Sequence, residues 1–181
     1  MIVEKTKLEG CFIIEPKVFK DSRGYFLETF NQKVFNKSIS KNINFIQDNE
    51  SFSSKGVLRG LHYQIGEHAQ AKLVRVIKGS VLDVCVDIRK ESSTFGQYVS
   101  VELNETNKKQ LFIPRGFAHG FVVLSETAIF SYKCDNFYNT EAERGIIYND
   151  KDLDINWLLN KSNLQLSEKD LQLPTFKEAR L

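Results

Sequence analysis

The sequence predicts an all-β protein, a jelly-roll β-sandwich with short peripheral helices. From residue 11 to about residue 148 it is a series of short runs rich in β-branched and aromatic residues, separated by Gly, Asn, Asp, Pro and Lys. Helical periodicity is brief, at residues 31–38 and around 154–159. Many short strands are typical of sandwiches and barrels. The length of 181 residues suits one domain, over residues 1–181.

The clearest predicted hairpin joins strands 72–77 and 81–88 through a turn at Gly79. In its second strand the apolar side chains at even positions share one face, whereas Asp83 and Asp87 share the other. We therefore expect one face to be core and the other to face something polar. The other predicted strands cover residues 24–30, 45–49, 57–64, 98–103, 110–113, 120–124 and 128–134. The polar tail from residue 160 has little strand character.

Composition excludes several functional classes. The net charge of +2 gives no basic surface for nucleic acid. The sequence opens without a signal-peptide pattern and contains no apolar stretch long enough to cross a bilayer. We therefore expect a cytoplasmic protein with neither a nucleic-acid nor a membrane partner. Cys11, Cys85 and Cys134 are an odd number with no paired spacing, and we expect three reduced thiols.

A histidine interrupts one of the apolar strands. His62 is predicted to share a face with Leu58 and Gly60, where the small glycine leaves room for a ligand beside the imidazole. A structural interpretation is also open, because single polar residues on strands are common and a core histidine needs only a hydrogen-bond partner.

Two further strands carry a polar side chain on an apolar face. Tyr132 is predicted to lie beside Phe130, where burial would raise the pKa of its phenol and keep it protonated. Lys72 is predicted on the face of Val74, a suitable position for stabilising an oxyanion. Each also has a structural interpretation, as a core tyrosine with a bonded hydroxyl or as an edge lysine with its amine in water.

Residues 113–119 resemble the second metal-binding motif of the cupins, a Pro-x-Gly-x-x-His turn whose histidine is usually a ligand. The first cupin motif should supply His-x-His and then Glu, but the matching strand reads His62-Tyr63-Gln64. We therefore expect a cupin-like fold with no metal. A metal-dependent cupin oxygenase and a non-catalytic sugar-binding cupin stay open as alternatives.

Motifs along nearly the whole chain resemble the dTDP-4-dehydrorhamnose 3,5-epimerase family. The most informative, at residues 56–64, reads Gly-Val-Leu-Arg-Gly-Leu-His-Tyr-Gln. The other matching stretches, in order, are residues 21–28, 47–49, 69–76, 82–89, 113–120, 132–134, 138, 141–145, 149–150, 155–157 and 166–170.

This resemblance implies a cofactor-independent isomerase that acts on a dTDP-linked 4-keto-6-deoxy-hexose in dTDP-L-rhamnose biosynthesis. It also implies a homodimer with exchanged N-terminal strands. By position, His62 matches the general base, Asp170 its carboxylate partner and Tyr132 the acid on the opposite face. Lys72 matches the residue near the keto oxygen, and Tyr138 the residue that stacks on thymine. The other substrate-contacting matches, some expected to reach across the dimer, are Arg23, Phe26, Glu28, Gln47, Asn49, Arg59, His119, Glu143 and Lys169.

The keto group explains why no redox carrier is expected. It acidifies the protons on carbons 3 and 5, because either carbanion delocalises into an enolate. A neutral imidazole can remove such a proton near neutral pH, and inversion needs a second group to return it on the other face. Enzymes that invert only one carbon share the same base and acid, so a single-site epimerase of another deoxysugar pathway stays open as an alternative.

Overall fold

The computed structural model describes all residues from Met1 to Leu181. Its strands, in chain order, are β1 (Ile2–Lys5), β2 (Phe12–Glu15), β3 (Val18–Asp21), β4 (Gly24–Leu27), β5 (Gln47–Ser54), β6 (Leu58–Gln64), β7 (Lys72–Lys78), β8 (Ser80–Asp87), β9 (Tyr98–Asn104), β10 (Gln110–Ile113), β11 (Phe117–Val123), β12 (Thr127–Cys134) and β13 (Glu143–Gly145). The helices are α1 (Gln32–Ile39) and α2 (Glu168–Leu171), with 3-10 turns at Gly66–His68 and Lys161–Asn163. Neither helix has the length and apolarity needed to cross a membrane.

Two antiparallel sheets pack face to face. The first has the order β1-β2-β10-β7-β12-β5 and the second β13-β6-β11-β8-β9, while β3 and β4 form a separate two-stranded sheet. Inward-facing side chains of both large sheets fill the interior, including Val74 and Phe130 from the first sheet and Phe121 from the second. The predicted all-β sandwich with short peripheral helices is confirmed.

The two predicted faces of β8 are observed, and both are buried. The aspartate face does lie against polar groups, since Asp83 is 2.9 Å from Nε2 of His119 and Asp87 accepts a hydrogen bond from Arg89. Val84 and Val86 do share a face, on the outside of the second sheet, where Trp157 and its neighbours in the C-terminal segment cover them. Asp83 and Asp87, on the opposite face, are also fully buried. Both faces are buried because the first sheet covers the inner face of β8 and the C-terminal segment covers its outer face.

Helix α1 lies where the sequence predicts it, within one residue. Its N-cap Asn31 accepts a hydrogen bond from the backbone N–H of Val34, which satisfies one free donor of the first turn. Phe35 and Ile39 pack on the outer face of the first sheet, against a cluster that includes Phe112.

The predicted helix at 154–159 is wrong. Asp154 and Leu158 adopt φ values of 43° and 61°, which a right-handed helix does not allow. Trp157 instead packs with Val84 and Val86 in the apolar cluster on the outer face of the second sheet, called the outer cluster below. It donates its Nε1–H to the carbonyl of Tyr148. The tail forms helix α2, which the sequence did not indicate.

Three strands also differ from the prediction by three residues or more at one end. The strand predicted at 120–124 begins at Phe117. The strand predicted at 24–30 ends at Leu27. The strand predicted at 45–49 begins at Gln47 and runs to Ser54. The prediction ended too early because the inward-facing positions after Asn49 are small polar residues rather than apolar ones. The three cysteines are buried and unbridged, and Cys11 Sγ lies 3.5 Å from Cys85 Sγ.

Candidate active site

A cavity of about 550 Å³ opens between the two sheets. Its lining includes His62, Lys72, His119, Tyr132 and Asp170. A second cavity of about 260 Å³ shares three of these residues and extends the space towards the C-terminal end of β12. The structure therefore brings together the four residues predicted to act chemically.

A bulge in β6 points two side chains into the cavity. Against β11, Arg59 lies opposite Phe121 and His62 lies opposite His119, so three steps along β6 match two along β11. Arg59 and His62 therefore share the inner face, whereas Leu58 packs in the outer cluster. The prediction that His62 shares a face with Leu58 is wrong, because it assumed regular alternation.

Gly60 serves close backbone packing rather than ligand access. A Cβ at this position would lie 2.5 Å from the Cα of Gly120 on β11. Gly60 also has a φ of 130°, which side chains rarely tolerate. The space that the sequence suggested for a ligand is occupied by the neighbouring strand.

His62 is hydrogen-bonded to a carboxylate. Its Nε2 lies 2.6 Å from Oδ1 of Asp170, and Asp170 is only 4% exposed. Ser167 caps α2 by accepting the backbone N–H of Asp170, which fixes that residue at the cavity wall. Burial alone would raise the pKa of Asp170, but the hydrogen bond and charge of His62, with bonds from Gly60 and Ser167, lower it. The carboxylate is thus ionised beside the imidazole.

Tyr132 and Lys72 lie on the opposite sheet from His62. Tyr132, on β12, packs against the interior cluster beside Phe130, as predicted. Burial raises the pKa of Tyr132. The Lys72 Nζ lies 5.9 Å from the centre of the Tyr132 ring. Burial lowers the pKa of Lys72, while negative charge on Cys134, Asp83 and Glu143 would raise it.

A polar cluster forms the far end of the second cavity. The hydroxyl of Tyr138 and the amine of Lys169 both donate to Oε2 of Glu143, at 2.9 and 2.5 Å. Burial would raise the pKa of Glu143, but these two bonds and nearby positive charge lower it. Gln47 accepts the backbone N–H of Tyr138 and donates to Asn49. The five predicted substrate-binding residues of this region are therefore contiguous.

Two other predicted contact residues have partners within the sandwich. Arg59 donates from Nε and Nη2 to the hydroxyl of Ser53, each at 3.2 Å. His119 is 7% exposed, and its Nε2 lies 2.9 Å from the nearer oxygen of Asp83.

Three predicted residues lie outside the cavity of their own chain. Arg23, whose side chain is 87% exposed, pairs with Asp21 in the turn of the β3–β4 hairpin. Phe26 is 68% exposed on β4. Glu28 accepts a hydrogen bond from Asn31 just beyond the hairpin.

Sequence reasoning missed several polar residues of the site. Ser51 and Ser53 continue the inward-facing row of β5, and Ser51 Oγ is a buried side-chain atom with no hydrogen-bond partner. Alternation along 47–53 is the signal that could have found them. Asp83 was predicted on a polar face, but not as the partner of His119. No group of three or more His, Cys, Asp or Glu side chains is arranged to hold a metal ion.

The fold and site define a cupin-like β-sandwich in which a histidine–carboxylate pair faces a tyrosine and a lysine across one cavity. The family described as dTDP-4-dehydrorhamnose 3,5-epimerase matches residues 5–178, and the chain belongs to this family. The resemblance predicted from the motifs is confirmed.

Individual relatives agree over almost their full lengths. The dTDP-4-dehydrorhamnose 3,5-epimerase of Shigella flexneri is 54% identical, with 99% of this chain and 98% of the relative covered. The solved structure of the corresponding enzyme from Elizabethkingia anophelis NUHP1 is 57% identical, with 98% and 97% covered and a TM-score of 0.95. The dTDP-6-deoxy-D-glucose-3,5-epimerase from Legionella pneumophila Philadelphia 1, solved with dTDP-4-keto-L-rhamnose, is 47% identical, with 98% and 93% covered and a TM-score of 0.94.

Proposed function

We propose that this chain inverts carbons 3 and 5 of dTDP-4-keto-6-deoxy-D-glucose, giving dTDP-4-keto-L-rhamnose for dTDP-L-rhamnose biosynthesis. The observation that carries the proposal is the placement of His62 and Tyr132 on opposite sheets of one cavity. The product-bound Legionella relative, which shares the fold closely, supports the choice of substrate.

His62 is the proposed general base. Its imidazole removes the proton from carbon 3 or carbon 5, and the electron pair moves into the enolate of the 4-keto group. Asp170, 2.6 Å from Nε2, orients the ring and stabilises the imidazolium that forms. The buried carboxylate is held in the ionised form that this role requires.

Tyr132 is the proposed acid and Lys72 the proposed oxyanion partner. The raised pKa of Tyr132 keeps its hydroxyl protonated until it gives its proton to the carbanion from the face opposite His62. An ammonium on Lys72 stabilises the enolate oxygen, and it does so most strongly where water is excluded. No cofactor takes part in this scheme, since the proton and the electron pair stay with the substrate and these side chains.

The nucleotide contacts are proposed from polar residues that line the two cavities. Arg59 is the proposed diphosphate contact, because a guanidinium binds phosphate oxygens through two N–H groups. Tyr138, held by Glu143 at the rim, is the proposed stacking partner of thymine. The other proposed substrate contacts are Gln47, Asn49, His119, Glu143 and Lys169.

The proposed active unit is a homodimer that exchanges N-terminal strands. The β3–β4 hairpin carries Phe19, Tyr25 and Phe26, each more than half exposed in the single chain. Docking of this hairpin on a second copy would bury them and bring Arg23, Phe26 and Glu28 to the partner's cavity. Light scattering should give twice the chain mass, and Phe26→Ser should shift it towards the monomer. A monomeric wild type would contradict this part of the proposal.

Each chain is proposed to act as one domain over residues 1–181, in the cytoplasm. Three buried cysteines without a disulfide are typical of a reducing compartment.

Incubation with dTDP-4-keto-6-deoxy-D-glucose in heavy water, followed by NMR, tests the reaction. Deuterium should enter at both carbons 3 and 5, and His62→Ala should abolish both exchanges while keeping the thermal unfolding of a folded protein. Exchange at one carbon would reassign the chain to single-site epimerisation. An active His62→Ala enzyme, or no exchange by the wild type, would reject the proposal.

A further inference from the structure

Asp83 is a fully buried carboxylate that the proposed mechanism does not use. It lies on β8 and faces the interior of the sandwich. Its two oxygens lie 3.1 and 2.9 Å from Nε2 of His119, and no other hydrogen bond reaches its side chain. Burying a carboxylate costs free energy unless the charge is paired. The pairing with His119 is therefore the specific reason that this position can hold an acid.

Asp87, four residues along the same strand, shows what a structural buried carboxylate looks like. It is equally buried, but it accepts hydrogen bonds from Arg89, Ser92 and Thr94. That set of donors satisfies the carboxylate without any contact to the cavity. Asp83 has no such set, and its one partner lines the cavity.

The contact with Asp83 determines which ring nitrogen of His119 carries the proton and which is left without a partner. A carboxylate only accepts hydrogen bonds, so the proton shared with Asp83 resides on Nε2. Nδ1 is then the ring nitrogen without a partner in the protein. This Nδ1 atom is not fully enclosed. Ser51 Oγ is the side-chain nitrogen or oxygen that is both enclosed and without a partner, so an unpaired Nδ1 must be partly accessible. Phe130, with its ring stacked 6.2 Å from the imidazole at 22°, restrains the ring from one side.

We infer that Asp83 is a positioning residue: it fixes the His119 imidazole with the proton on Nε2 and so directs Nδ1 into the cavity, towards the substrate. This inference rests on the proposed function, since it requires that His119 contacts the bound nucleotide sugar. His119 lies directly opposite His62 across β6 and β11, so a rotated His119 ring would also change the surroundings of the base. The charge of Asp83 additionally favours the ammonium form of Lys72.

Asp83→Asn keeps the size of the side chain and removes its charge. The variant loses the charge-assisted hydrogen bond that positions His119. Loss of a hydrogen bond to a charged group should lower kcat/KM by about 10- to 100-fold. Asp87→Asn is the matched control, with the same substitution on the same strand at the same burial. It should lower thermal stability and leave kcat/KM unchanged. Equal losses of kcat/KM in the two variants would overturn the inference.

A double-mutant cycle separates positioning from packing. In a His119→Gln background, Asp83→Asn should cause a much smaller loss of kcat/KM than in the wild type, because the group that it positions is already gone and only its charge effect on Lys72 remains. If Asp83 acted only on packing, its full effect would persist in that background, and the inference would fail.

The tautomer of His119 gives a readout that does not depend on activity. Proton–nitrogen NMR of wild-type protein labelled at its three histidines, assigned with His119→Gln, should show the His119 proton on Nε2. A proton on Nδ1 alone would overturn the inference even if no variant at position 83 folds. Failure of the proposed function would appear differently, as an inactive wild type with the expected tautomer.

Discussion

Replacing Asp170 with asparagine removes the charge that supports the base and leaves the size of the side chain unchanged. The contact is short, 2.6 Å from His62 Nε2, and the Asp170 side chain is 6% exposed, so water screens it little. A hydrogen bond to a charged group is worth about 1.5–3 kcal/mol. Because the imidazolium forms in the transition state, a loss of this size should lower kcat by about 10- to 150-fold. KM should change less, since Asp170 faces the base rather than the nucleotide.

The assay is the initial rate of deuterium entry at carbons 3 and 5, measured separately in heavy water. Both rates should fall by the same factor, because one base serves both carbons in the proposed mechanism. Glu168→Gln is the control, since it removes one negative charge from the exposed side of the same helix. Wild-type rates in Asp170→Asn, or an equal loss in Glu168→Gln, would refute the proposed role of Asp170.

Three further predictions test other parts of the molecule. Tyr132→Phe should slow inversion more than solvent exchange, because His62 can still return a deuteron to the original face; NMR of the recovered substrate and product separates the two, and equal losses would contradict the assignment. Arg59→Lys should raise KM more than it lowers kcat, since a lysine cannot make the two-nitrogen contact with a diphosphate; steady-state kinetics check this, and an unchanged KM would contradict it. Burial alone would raise the pKa of Asp87, but bonds from one guanidinium and two hydroxyls lower it from 3.8 to about 2. Asp87 should therefore contribute a fall of about 2–3 kcal/mol in wild-type stability as the pH falls from 3.8 towards 2, in addition to the losses from Asp170 and Glu143. Urea titrations of Asp87→Asn should show a drop smaller by this amount, and an identical pH dependence would contradict the assignment.

The sandwich could be predicted from sequence because strand patterns depend on nearby residues. Alternation placed Val84 and Val86 on one face and Tyr132 beside Phe130, and the structure confirms both. Alternation could not show that the C-terminal segment covers the outer face of β8, since that contact joins distant parts of the chain. The same limit explains the false helix at 154–159, where apolar spacing suits a helix but Trp157 packs into the outer cluster instead.

The site was predictable only in part for the same reason. His62 and Tyr132 stood out as polar residues in apolar strands, but Asp170 is 108 positions from His62 and no spacing rule connects them. Family resemblance alone suggested that pairing. The bulge that aligns Arg59 with His62 was also invisible, because it depends on the register between β6 and β11. Local patterns thus indicate which residues are unusual, whereas pairwise geometry shows which of them act together.

Inversion imposes a geometric requirement that the sandwich meets. The proton must leave one face of the carbon and return to the other, so the base and the acid must lie on opposite sides of the sugar ring. His62 belongs to the five-stranded sheet and Tyr132 to the six-stranded sheet. Packed sheets lie about 10 Å apart, which leaves room for a flat ring between them but does not let one side chain serve both faces. A base on one sheet alone would return the proton to the face that it left. In the proposed mechanism, therefore, the pairing of residues from two sheets converts proton exchange into inversion.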